Sequence, residues 1–90
     1  MKILVTPTFL KTVKKLHPNQ KRIIDKAVLA ISGNPKIGIA KVGDLEGIAI
    51  YKFRMNDQSW LLTYRIISKN SVKLLLVGPH ENFYRNLKKD

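Results

Sequence analysis

The run VGPHENFYRNLKKD, residues 77–90, brings His80, Glu81, Tyr84 and Arg85 together within six positions, directly after an apolar stretch. Two further cations, Lys52 and Arg54, stand two apart in IAIYKFRM, and Arg65 follows in SWLLTYRII. Histidine ordinarily titrates near neutrality and can give or take a proton. Guanidinium and ammonium groups suit a phosphate, the guanidinium through a planar fork of donors. Glu81 is the carboxylate closest to His80 in sequence; it can orient the imidazole or act as the acid at a helix N-terminus. His17, before Pro18, reads as a turn residue. Two histidines so far apart, in a chain with no Cys, give no metal-site spacing, and no metal or cofactor is expected.

The elements that must position these groups can be read from periodicity. KILVT is apolar and β-branched, a strand over Lys2 to Val5. Thr6-Pro7 is a helix start, since threonine caps first-turn amides and proline there lacks only a donor that would go unused. Phe9, Leu10, Val13 and Leu16 mark one helical face and the helix ends near His17-Pro18; Ile23, Ile24, Ala27, Ala30 and Ile31 mark a second, closed by Gly33-Asn34-Pro35. From Lys41 onward the period becomes two. Ala49, Tyr51, Phe53 and Met55 share one face of a strand, and Ile48, Ile50, Lys52 and Arg54 the other. After an Asn56-Asp57 turn, Trp60, Leu62, Tyr64 and Ile66 alternate with Leu61, Thr63, Arg65 and Ile67. SVKLLLVG makes the last strand, apolar enough that burial is expected to blur its alternation.

If the aromatic faces meet the helices, Lys52, Arg54, Thr63 and Arg65 emerge together on the opposite face. Like charges so placed repel unless an anion lies between them. Gly78-Pro79 ends the last strand and delivers His80 to the rim. A helical turn from Pro79 then puts His80 and Tyr84 on one face, while Phe83 and Leu87 dock on the core. The fold expected is α+β: two N-terminal helices on a small, mostly antiparallel four-stranded sheet, with a short C-terminal helix.

Ninety residues suffice for one core, so residues 1–90 are expected to form a single domain. Apolar residues make up 44% of the chain, too many for a disordered segment. The absence of Cys favours an intracellular, cytoplasmic setting, and neither a cleavable leader nor a membrane span is expected. Seventeen Lys and Arg oppose six Asp and Glu, a formal net charge of +11. Eight bases stand against one acid in residues 1–40, and nine against five in 41–90. Such a field points to a polyanionic partner: nucleic acid, ribosome or an acidic protein.

Across nearly its whole length the chain resembles the RelE/ParE superfamily of toxins from type II toxin-antitoxin pairs. The stretches that carry the resemblance are FLKTVKKL, KVGDLEGIAIYKFR, WLLTYRI and LLLVGPHENFYRNL, in that order and spacing. The resemblance implies a toxin with a cognate acidic antitoxin, in a hetero-oligomer able to bind operator DNA through that antitoxin. In the RelE branch such toxins cut messenger RNA on the ribosome, using the ribose 2′-hydroxyl as nucleophile; in the ParE branch they poison DNA gyrase. It further implies that Lys52, Arg54 and His80 are catalytic, contacting the scissile phosphate or moving protons. Tyr84 would stack on a base, with Arg65, Arg85 and Lys41 as further substrate contacts. Leu61 stands where RelE proper has a phosphate-binding arginine, which Arg65 would have to replace. A ribosome-dependent, metal-independent endoribonuclease is therefore expected, with a gyrase poison or a non-catalytic basic RNA- or protein-binding module as alternatives.

Overall fold

The computed structural model describes residues 1–40 and 47–80. Strand β1 (Lys2–Val5) leads into helix α1 (Pro7–Lys14), which a tight turn joins to helix α2 (Pro18–Gly33). A 3-10 turn (Pro35–Ile37) and the two-residue strand β2 (Ile39–Ala40) follow. Strands β3 (Ile48–Met55), β4 (Gln58–Ser68) and β5 (Ser71–Pro79) complete the described chain. The sheet order is β1-β5-β4-β3-β2, with β1 parallel to β5 and every other pair antiparallel. The α+β class and the helix pair on a sheet stand as expected. Among the described residues the strands number five rather than four, because Ile39 and Ala40 pair with Ile50 and Ala49. The expected C-terminal helix falls almost wholly outside the described residues.

Local chemistry sets the element ends. The Thr6 hydroxyl accepts from the Phe9 amide at 3.1 Å, capping α1, and donates to the Leu75 carbonyl at 2.7 Å. One side chain thus starts the helix and ties it to β5. The His17 amide, at the head of α2, donates to Gln20 Oε1 at 2.9 Å, which bears out its reading as a turn residue. Asn34 closes α2, and its side chain accepts from the Lys36 amide at 3.3 Å. In the β3–β4 hairpin Asn56 and Asp57 have φ of 53° and 63°, the left-handed pair that a two-residue hairpin turn requires.

The core lies between the helices and one face of the sheet. Phe9, Ile24, Ala27 and Ile31 from the helices meet Ala49, Met55, Trp60, Leu62, Tyr64, Val72, Leu74 and Val77. Tyr51 and Phe53 are half-buried against it, their rings stacked at 6.0 Å. Leu10, expected on the inner face of α1, is instead exposed. Phe9, Val13 and Leu16 already complete the stripe, and a residue next to Phe9 points about 100° away from it. The uneven pattern of β5 also has a cause other than burial. Thr63 pairs with Leu76 and Tyr64 with Leu74, so Leu75 is an extra residue in a bulge. The bulge reverses the alternation, sending Val72, Leu74 and Val77 to the core and Leu76 to the opposite face.

Candidate functional site

The face of the sheet turned away from the helices carries the candidate residues. On β3, Lys52 lies opposite Leu61 of β4, which lies opposite Gly78 of β5. In the next row Arg54 lies opposite Ser59. Pro79 pairs with Trp60, so His80 leaves the sheet beside the same row, exposed at the rim. Lys52, Arg54 and His80 are therefore gathered at one corner by strand register alone. The Arg54 guanidinium donates to the Asp57 carbonyl at 3.0 Å, which holds it toward the hairpin tip. The type I′ turn that exposes this carbonyl follows from the Asn56-Asp57 pair.

The rest of the expected cation cluster is not at this corner. Thr63 is fully buried and donates to the Leu76 carbonyl at 3.4 Å, so it presents no polar group to a ligand. Ile50 and Leu61 are buried on this face and Leu76 packs against them. Arg65 is exposed, but it stands four residues along β4 from Leu61, about 13 Å at roughly 3.3 Å per strand residue. It pairs in register with Ile48 on one side and Lys73 on the other. The face is thus basic at two ends and apolar between them, and Arg65 does not fill the position opposite Lys52 that Leu61 occupies. Lys41, Tyr84 and Arg85, the other expected contacts, lie outside the described residues, as does Glu81.

Sequence reasoning passed over two features. Lys73 was legible as the polar member of Val72-Lys73-Leu74, but its partnership with Arg65 depends on strand register. The alternation of β4 marks Tyr64 only as a core aromatic, yet its hydroxyl makes two hydrogen bonds, accepting from the Gly38 amide at 3.0 Å and donating to the Pro35 carbonyl at 2.5 Å. Burial raises its pKa above the ordinary tyrosine value, with the Gly38 amide pulling the other way. Elsewhere, Asn34, Pro35, Lys36, Ile66, Ser68 and Lys69 line a cleft of about 350 Å³, apart from the Lys52 corner. Among the described residues no three His, Cys, Asp or Glu side chains converge as a metal site, and no helix is long and apolar enough to cross a membrane.

No curated sequence matches this chain. Among solved structures it is similar to a doubly substituted E. coli RelE toxin in the free state, at 21% identity and a TM-score of 0.70, over 98% of this chain and 95% of that one. It is similar at 20% identity and a TM-score of 0.67 to a chain of the intact E. coli RelBE toxin-antitoxin complex, covering 86% of this chain and 93% of that one. The substituted RelE bound to an antitoxin RelBc peptide matches at 19% identity and a TM-score of 0.67, over 96% and 92%. At such identities the likeness is one of fold. The family model described as "ParE-like toxin of type II bacterial toxin-antitoxin system" matches residues 3–88. A match over almost the entire sequence, on a chain with this helix pair and sheet, means that the protein belongs to the ParE-like toxins of type II bacterial toxin-antitoxin systems.

Proposed function

We propose that residues 1–90 act as one toxin domain, a cytoplasmic, ribosome-dependent endoribonuclease that cleaves messenger RNA and so inhibits translation. The observation that supports this most directly is the gathering of Lys52, Arg54 and the departing His80 at one corner of the sheet. In the reaction the ribose 2′-oxygen attacks the adjacent phosphorus while the bond from phosphorus to the 5′-oxygen breaks. A base takes the 2′-proton and an acid protonates the leaving 5′-oxygen, giving a 2′,3′-cyclic phosphate and a 5′-hydroxyl. Lys52 and Arg54 stabilise the charge on the pentavalent phosphorane, and His80 serves as the acid or the base. The carbonyl of Asp57 keeps the Arg54 fork oriented before substrate arrives. Tyr84 stacks on a base, with Arg65, Arg85 and Lys41 holding flanking phosphates.

The inhibitor is a cognate antitoxin, acidic to match the +11 charge. The RelE fold has been solved both in the RelBE complex and with an antitoxin peptide, which supports such a partner here. The toxin-antitoxin assembly would reach operator DNA through the antitoxin.

Two observations favour a second reading, poisoning of DNA gyrase. The matching family is described as ParE-like, and Leu61 is a buried apolar residue where the resemblance to RelE calls for an arginine. Controlled expression with mapping of messenger 5′ ends, alongside a measure of double-strand DNA breaks, separates the two. Cuts at A-site codons with intact DNA are expected. Early DNA breaks with uncut messenger would replace the nuclease by the gyrase poison, and a harmless protein would remove both.

A further inference from the structure

Arg65 and Lys73 are direct cross-strand partners, both exposed on the face away from the helices. Side chains so placed have Cβ atoms about 5 Å apart, and two like charges there destabilise the sheet. Nothing acidic relieves them among the described residues, whose carboxylates are Asp25 on α2 and Asp57 at the far hairpin tip. Lys2 adds a third positive charge. It pairs with Ser71, two residues from Lys73 and on the same face. The Arg65 guanidinium also comes close to Gly47, where a Cβ would sit 3.1 Å from Nη1, so the position before β3 leaves room for it.

We infer that Arg65 and Lys73, with Lys2 beside them, form a second phosphate subsite for single-stranded RNA whose reacting phosphate lies at Lys52 and Arg54. The choice of RNA rests on the nuclease reading; the subsite itself rests on the unrelieved cations. The spacing supports a strand rather than a mononucleotide. Arg65 lies about 13 Å from the Leu61 row, and the intervening Ile50, Leu61 and Leu76 offer no phosphate a partner. A few nucleotides of extended chain bridge that gap; a dinucleotide does not. The strand would run along β4, with its phosphates alternately held and free.

The test is binding of a fluorescent ribo-octamer of mixed sequence, by anisotropy over a range of salt. For a single strand, each phosphate that the protein no longer neutralises lowers the slope of log K against log salt by about 0.7. Arg65→Gln/Lys73→Gln, which empties one phosphate subsite, should therefore flatten the slope by about 0.7, while binding of a ribo-dimer stays unchanged. The helix-face variant Lys14→Gln/Lys15→Gln removes the same net charge and should flatten the slope less than half as much. Thermal unfolding gives a second readout: without ligand the Arg65/Lys73 variant should be at least as stable as the wild type. An equal effect from the helix-face variant, a lowered melting temperature, or tighter binding to duplex DNA of the same sequence would each overturn the subsite. If the slope changes as expected but the wild type never cuts messenger, the subsite stands and the nuclease reading falls. If cleavage occurs and the slope is unmoved, only the subsite falls.

Discussion

The Tyr64 hydroxyl donates to the Pro35 carbonyl at 2.5 Å, joining the centre of β4 to the segment that leaves α2. Because the same oxygen accepts from the Gly38 amide, one buried side chain fixes both ends of the 3-10 turn and aims β2 at β3.

Tyr64→Phe keeps the ring and removes both bonds. It should cost about 1–3 kcal/mol in denaturant unfolding, the range for stranding partly buried polar groups. A pH dependence accompanies it. The folded-state pKa of Tyr64 is raised, so the unfolded chain loses this proton first as pH rises. The stabilisation is complete below the ordinary tyrosine pKa, near 10, and is lost as pH climbs through the folded value. The stability difference between wild type and Tyr64→Phe should therefore shrink in that alkaline window; a difference that grows there would contradict the assignment.

Gly38→Ala should also be destabilising, for reasons of space and not of backbone conformation. A Cβ at this position would lie 2.6 Å from the Tyr64 hydroxyl and 3.0 Å from the Ile50 carbonyl oxygen. Neither can retreat without breaking a hydrogen bond or the β2–β3 pairing. Overpacking of this kind typically costs about 1–3 kcal/mol, and calorimetry on the purified variant would show it as a lower Tm.

Thr6 holds α1 to the bulge of β5. Thr6→Ala loses the cap on Phe9 and leaves the Leu75 carbonyl without its hydroxyl donor. A loss of about 1–2 kcal/mol is expected, largely restored in Thr6→Ser, which keeps the oxygen. Equal losses in both variants would assign the role of Thr6 to its methyl group.

At the proposed active corner, His80→Ala, Lys52→Ala and Arg54→Ala should each lower messenger cleavage on programmed ribosomes by about a hundredfold or more. Folding should be unaffected, since all three side chains are exposed. Tyr84→Ala should lower cleavage more than Tyr84→Phe, which retains a stacking ring. A folded Lys52→Ala/His80→Ala variant that still arrests growth at the wild-type dose would end the nuclease reading.

The sequence alone determined which residues face which way where the local period is unambiguous, though not at Leu10, which lies beside the buried stripe of α1. The alternation of Ala49, Tyr51, Phe53 and Met55 with Lys52 and Arg54 requires only the strand period, and the start of α1 requires only Thr6-Pro7. Both survive in the structure because the core and the caps act within a few residues. Pairing was beyond reach of such signals. The parallel docking of β1 on β5 joins residues about seventy positions apart, and the bulge at Leu75 inverts a pattern that sequence reads as uniform. Register decided the rest. It brought Lys52 and Arg54 to the strand end from which His80 departs, buried Leu61 and Thr63 between the two basic ends, and set Arg65 against Lys73. A one-residue change of register would send each of these side chains to the other face, so the site exists only once the strands are aligned.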